Sequence, residues 1–169
     1  MGCHDLSIFW FPSSGRMTCN SPYSPAIHLS PGDIPLLPSF CNPAYMSVRI
    51  KVSKTAPFRS GQTIIIGTND QRTCPVMAMI TYLSSRGTTA GPLFKYLSGA
   101  PLTNVGLTSE TRQPLSMSGF QHSQYAGRSY RIGAATTSVS VGLPPWLIKT
   151  LGRWSSDCYE RYIHCPSEF

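Results

Sequence analysis

The final quarter of the chain holds the side chains best placed to do chemistry. Arg128 and Arg131 stand three apart, which puts them on one face of a helix. Arg153 follows a Leu151-Gly152 turn, and Tyr159 and Tyr162 again stand three apart. Further cations, Lys51, Lys54 and Arg59, lie on and after a β-patterned stretch. Residues 1–48 carry a net charge of −1 and residues 49–169 a net +8, within a total of +7. A basic excess confined to one part of a chain favours a polyanion, either nucleic acid or an anionic membrane surface. No amphipathic basic helix is evident, so nucleic acid is the stronger of the two.

Other chemistry finds little support. There is no G-x-S-x-G, P-loop, H-E-x-x-H or G-x-G-x-x-G pattern. Seven acidic residues make a paired-carboxylate hydrolase hard to assemble. The six cysteines include no C-x-x-C pair, and the nearest cluster, Cys158, His164 and Cys165, lacks a fourth ligand. We therefore expect reduced, packing cysteines, no metal and no small-molecule cofactor. No apolar run approaches the ~18 residues of a membrane span; the longest are Ile8-Phe9-Trp10-Phe11 and Ile64-Ile65-Ile66. The start has no basic n-region, and Leu6 stands where a myristoylation motif needs Ser or Thr, so no membrane partner is expected. A hydrophobic content of 41% is enough to fill a core.

The elements that must position these residues follow from periodicity. Residues 12–44 hold seven prolines, which exclude long helices and central strands. This segment reads as a loosely packed arm with a short strand near Ala26–Leu29. Val48, Ile50 and Val52 alternate with Arg49, Lys51 and Ser53, the period of a half-buried strand with basic groups outward. Gln62–Ile66 is a second strand, joined to the first through Lys54–Gly61 as a hairpin. Pro75 opens a helix through Arg86, stopped by Gly87. Leu93–Leu97 reads as a third strand. Helices follow at Thr103–Arg112 (closed by Pro114), Arg128–Val141 (ended by Gly142) and Trp146–Leu151 (stopped by Gly152). A last helix, capped by Ser155 or Ser156, runs to about Ile163. The expected class is α+β, mainly helical with a small antiparallel hairpin. Its parts are a Pro/Ser-rich segment, 1–44, and a main domain, 45–169.

Three stretches together resemble the catalytic domain of tyrosine recombinases, the phage-type integrases. They are Ser53-Lys54-Thr55-Ala56-Pro57-Phe58-Arg59, Gly127-Arg128-Ser129-Tyr130-Arg131-Ile132-Gly133-Ala134-Ala135-Thr136-Thr137, and the run from Leu147 through Leu151-Gly152-Arg153-Trp154 to Tyr162-Ile163. They occur in the family's order, and the likeness runs from about Phe9 to Pro166. It is closest to the recombinase-like proteins of eukaryotic mobile elements of the DIRS and Crypton kind.

The resemblance implies a mechanism and a set of roles. A tyrosine attacks the scissile phosphodiester to give a 3′-phosphotyrosyl link and a free 5′-hydroxyl, while arginines hold the non-bridging oxygens. A hairpin lysine protonates the leaving oxygen, and no metal takes part. Tyr162, nine residues after Arg153, matches the nucleophile; read alone, it fits a core position beside Cys158 and Cys165. Arg131 matches the arginine of the His-x-x-Arg box, with a surface salt bridge as its plainer role. Lys54 matches the hairpin lysine. Arg153 and Trp154 fall where the family places a histidine or tryptophan, and a packing role suits Trp154 nearly as well. Lys51, Arg59, Arg128 and Lys149 are the expected DNA contacts.

The chain also departs from the family. Arg128 replaces the histidine of His-x-x-Arg, and an arginine stays protonated and cannot act as a general base. In the run Phe11–Thr18, Ser13 stands where the family has its first arginine and Arg16 where it has an acidic residue. The family's N-terminal DNA-clamping domain is not in this sequence. Losing a clamp donor costs roughly 10²–10³ in rate, and losing the base on the order of 10²–10⁴ more. The expectation is a nuclear, DNA-binding, recombinase-like protein that forms homo-oligomers on DNA and catalyses poorly or not at all. The alternatives are an inactive DNA-binding remnant of a mobile element and an unrelated small interaction protein.

Overall fold

The alternation of Met46, Val48 and Ile50 builds the centre of the first half of the molecule. In the computed structural model these three are 3%, 1% and 3% exposed, on strand β2 (Tyr45–Ile50). The structure describes residues 17–20, 22–52, 61–87, 89–154 and 156–163. Over these residues the chain is α+β, with four α-helices and one three-stranded antiparallel sheet. Two compact units divide them between Asn104 and Val105.

In the first unit β2 lies between β1 (Leu36–Leu37) and β3 (Gln62–Gly67). Leu36 pairs with Met46, and the β2–β3 register runs from Tyr45 opposite Gly67 to Ile50 opposite Gln62. Ile66 turns into the core while Ile65 is 68% exposed, as the period of two requires. The proline-rich segment adds Cys19, Leu29, Ile34 and Leu36 to this core. Helix α1 (Pro75–Arg86) opens on Pro75 and ends at Gly87, whose φ of 76° only glycine adopts without strain. Val76, fully buried, fixes its inner face, and burial of such a side chain contributes about 1.5–3 kcal/mol.

Arg86, at the last position of α1, is buried and has no carboxylate partner among the described residues. Its Nε donates to the Leu93 carbonyl at 2.7 Å. Its Nη1 donates to the Gly87 and Thr89 carbonyls at 2.9 and 2.8 Å, and its Nη2 to that of Pro92. One guanidinium thus gathers the loop after the helix. The expected strand at Leu93–Leu97 reduces to a single bridge, Lys95 opposite Pro101. Tyr82 Oη takes the Lys95 N–H and donates to the Leu93 carbonyl, so side chains replace the ladder a strand would need. The third strand is instead Leu36–Leu37, too short to show a period. Ala26–Leu29 is not extended: the N–H groups of Ile27 and His28 both donate to the Ser24 carbonyl, closing a turn.

In the second unit α2 (Asn104–Met117) runs one turn past Pro114, which was expected to close it. Proline has no N–H for the Glu110 carbonyl, but its fixed φ is helical, and the Ser118 N–H still reaches the Pro114 carbonyl at 3.0 Å. Helix α3 (Ser129–Ser140) begins after Arg128, and its end is closed by the Leu143 N–H on the Ser138 carbonyl with Gly142 at φ 75°. Helix α4 spans Pro145–Gly152. Ala134, Ala135 and Ser138 of α3 are buried and small, which lets the helices approach closely, and Ile148 of α4 is buried with them. Thr111 of α2 and Tyr130 of α3 meet through their hydroxyls at 2.7 Å. The last expected helix is a 3-10 helix, Asp157–Tyr162, packed on α3 and α4.

Candidate functional site

The end of α4 decides the geometry of the second unit's basic cluster. Arg153 takes the left-handed conformation, φ 55° and ψ 43°, the position at which a helix usually places glycine. The Trp154 N–H then returns to the Lys149 carbonyl at 3.0 Å, and that of Arg153 to Thr150 at 3.1 Å. This reversal lays the Trp154 indole across Gly152. A Cβ on Gly152 would lie 1.7 Å from the indole Cζ3, so any side chain there would displace the ring.

Arg131 reaches the same place from α3. Its guanidinium carbon lies 5.6 Å from the Trp154 ring centroid, a cation–π distance. Its Nη2 donates to the Gly152 carbonyl at 3.3 Å. Lys149 is half-buried and pairs with Asp157 at 2.8 Å, tying α4 to the 3-10 helix that ends at Tyr162. Arg128 sits at the start of α3, exposed, one turn before Arg131.

The second unit therefore brings Arg131 to Trp154 at the end of α4, next to Arg153, and ties Lys149 to the 3-10 helix whose last residue is Tyr162. The Tyr162 side chain lies outside the described residues, as do Lys54, Arg59, Ser13 and Arg16. Lys51 belongs to the first unit, and its side chain does not stand outward on a strand. β2 ends at Ile50, and the Lys51 ammonium turns to Asp33 Oδ2 at 2.6 Å and to the carbonyls of Pro25 and His28 at 2.7 and 3.1 Å. Three acceptors meet three N–H groups, so a phosphate would have to displace Asp33.

Two site-forming groups escaped the sequence reading. One is Gly152, read as a helix stop; its second use was signalled by a tryptophan two residues on. The other is Asp33, 7% exposed, which also accepts the Ser30 N–H at 2.8 Å and the Ser30 hydroxyl. Ser30-Pro31-Gly32-Asp33 is a capping box on a short 3-10 helix, legible as S-x-x-D. Burial alone would push the Asp33 carboxyl up; the Lys51 ammonium and the two Ser30 donors outweigh it and hold the pKa below the usual carboxylate range. Burial pushes the Cys19 thiol up.

Among the described residues no His, Cys, Asp or Glu cluster is placed to hold a metal ion. No helix among them is long and apolar enough to cross a membrane. The second unit also carries an apolar groove of about 470 Å³ beside the Thr111–Tyr130 hydroxyl pair, lined in part by Leu107, Pro114 and Leu115. No family model, curated protein or solved structure matches the chain.

Proposed function

We propose that this chain is a DNA-binding, tyrosine-recombinase-like protein whose strand-transfer chemistry is impaired. One observation carries the reading: the Arg131 guanidinium is held at the Gly152–Trp154 helix end, just ahead of the turn that finishes on Tyr162. A fixed guanidinium is the group that phosphoryl chemistry needs, because it meets charge on the non-bridging oxygens without reorganising. The net charge of +7 supports a polyanion as partner. Arg128, exposed at the start of α3, adds a phosphate contact but no general base. DNA binding in the nucleus and assembly of several copies on DNA belong to the same reading.

The test is incubation with nicked duplex DNA, followed by a denaturing gel for covalent protein–DNA adduct and a filter assay for retention. The expected result is retention that falls by orders of magnitude between about 50 and 200 mM salt, with little or no adduct. Any adduct must vanish in Tyr162→Phe. Retention insensitive both to salt and to Arg131→Ala refutes the reading.

A further inference from the structure

The chemistry proposed for Arg131 depends on how the guanidinium is held, and this inference rests on that reading. An arginine side chain has many rotamers to lose on binding, and a site that fixes them beforehand binds an anion more tightly. Two restraints act here: the indole face of Trp154 at 5.6 Å and the Gly152 carbonyl at 3.3 Å. The carbonyl takes one N–H of Nη2, and Nε and Nη1 make no hydrogen bond among the described residues. An edge of the fork thus stays open to a bidentate oxyanion.

The ring is itself held in place. Gly152 leaves the space it fills, since a Cβ would meet three of its carbons at 1.7–2.4 Å. The left-handed Arg153 turns the chain so that the ring falls back over α4. Trp154 is therefore placed by the helix end and in turn places Arg131.

We propose that Trp154 is a positioning residue that acts through Arg131, presenting its guanidinium as a preformed fork for one DNA phosphate, and does not itself contact the DNA. An uncharged residue that contacts DNA directly changes affinity but leaves the counterion count alone. A residue that acts through a cation removes that cation's contribution to the salt dependence. The two roles therefore differ in a measurable slope.

The experiment measures retention of a short duplex by the full chain across about 50–200 mM salt. The proteins are wild type, Arg131→Ala, Trp154→Ala, Trp154→Phe and the Arg131→Ala/Trp154→Ala double variant. Arg131→Ala should lower the slope of log affinity against log salt by about 1. Trp154→Ala, though it removes no charge, should lower it by the same amount, the double variant should lose no more, and Trp154→Phe should keep most of the slope. A wild-type slope in Trp154→Ala, with the slope reduced in Arg131→Ala, overturns the positioning role and leaves the DNA reading standing. No change in Arg131→Ala overturns the proposal at its first step, because Arg131 then meets no phosphate; the DNA reading falls with it only where retention is also insensitive to salt. Should Trp154→Ala fail to fold, Gly152→Ala carries the test: the indole must leave its place, and an unchanged slope overturns the proposal.

Discussion

Replacing Lys51 with methionine should loosen the first unit by about 3 kcal/mol. The ammonium lies 2.6 Å from Asp33 and also satisfies the Pro25 and His28 carbonyls. Removing one partner of a buried ion pair costs about 3–5 kcal/mol, because the other charge is left without compensation. Here the two side chains are 20% and 9% exposed, so water recovers part of the loss and the lower end applies. Urea unfolding read by amide exchange in the β2 and β3 segments isolates this unit from the other. Asp33→Asn completes a double-mutant cycle, in which the coupling should be about 1–3 kcal/mol. A cost for Lys51→Met under about 0.5 kcal/mol, the range of ordinary surface changes, would refute the reasoning. So would an equal cost in the Asp33→Asn background.

The same pair has a pH signature with a definite sign. The folded pKa of Asp33 is lowered, so the unfolded chain binds the more protons between the two values, and stability rises with pH there. The contribution is fully present above the unfolded value, near pH 4, and is lost as pH falls through the folded pKa. The stability gap between wild type and Asp33→Asn should therefore be flat from about pH 5 upward and shrink below about pH 4. A gap that instead changes near neutral pH would mean that another group is responsible.

Three further changes test other parts of the fold. Arg86→Met takes the donor from the Gly87, Thr89 and Pro92 carbonyls, while that of Leu93 keeps Tyr82, and should cost about 1–3 kcal/mol, with exchange accelerated in the loop after α1. Pro114→Ala restores the donor for the Glu110 carbonyl inside α2 and should stabilise the second unit by about 2 kcal/mol, read as a higher urea midpoint. Arg153→Gly removes the left-handed strain and should raise the thermal midpoint of that unit by about 0.5–1 kcal/mol equivalent, while DNA retention falls.

What the sequence made legible was what repeats. The β2–β3 hairpin follows from an alternation, and α1 matches Pro75 and Gly87 to the residue, because start and stop are both local chemistry. The reading failed where distant groups decide. Lys51 keeps the outward parity of its strand on paper, yet the chain leaves the strand one residue earlier, drawn by a carboxylate eighteen positions back. Leu93–Leu97 has strand composition, but Arg86 and Tyr82 both take the Leu93 carbonyl, and the Tyr82 hydroxyl takes the Lys95 N–H. Pro114 reads as a stop because the rule concerns one lost hydrogen bond, whereas the next turn supplies others. In the basic cluster the letters were visible and their geometry was not: nothing in the spacing of Arg131 and Trp154 announces that one lies over the other.

That cluster also separates what the fold needs from what it tolerates. Gly152 leaves the space that the indole occupies, a packing use of its own, so the Leu-Gly turn alone says nothing about catalysis. Arg153 is the opposite case. Its left-handed φ of 55° is best served by glycine, and a β-carbon there costs of order 1 kcal/mol. Stability and retention therefore move in opposite directions in Arg153→Gly if the arginine serves a phosphate, and in the same direction if it serves the fold. The sign of that pair of measurements, made on one variant, distinguishes a DNA-contacting helix end from one whose motif letters are only packing.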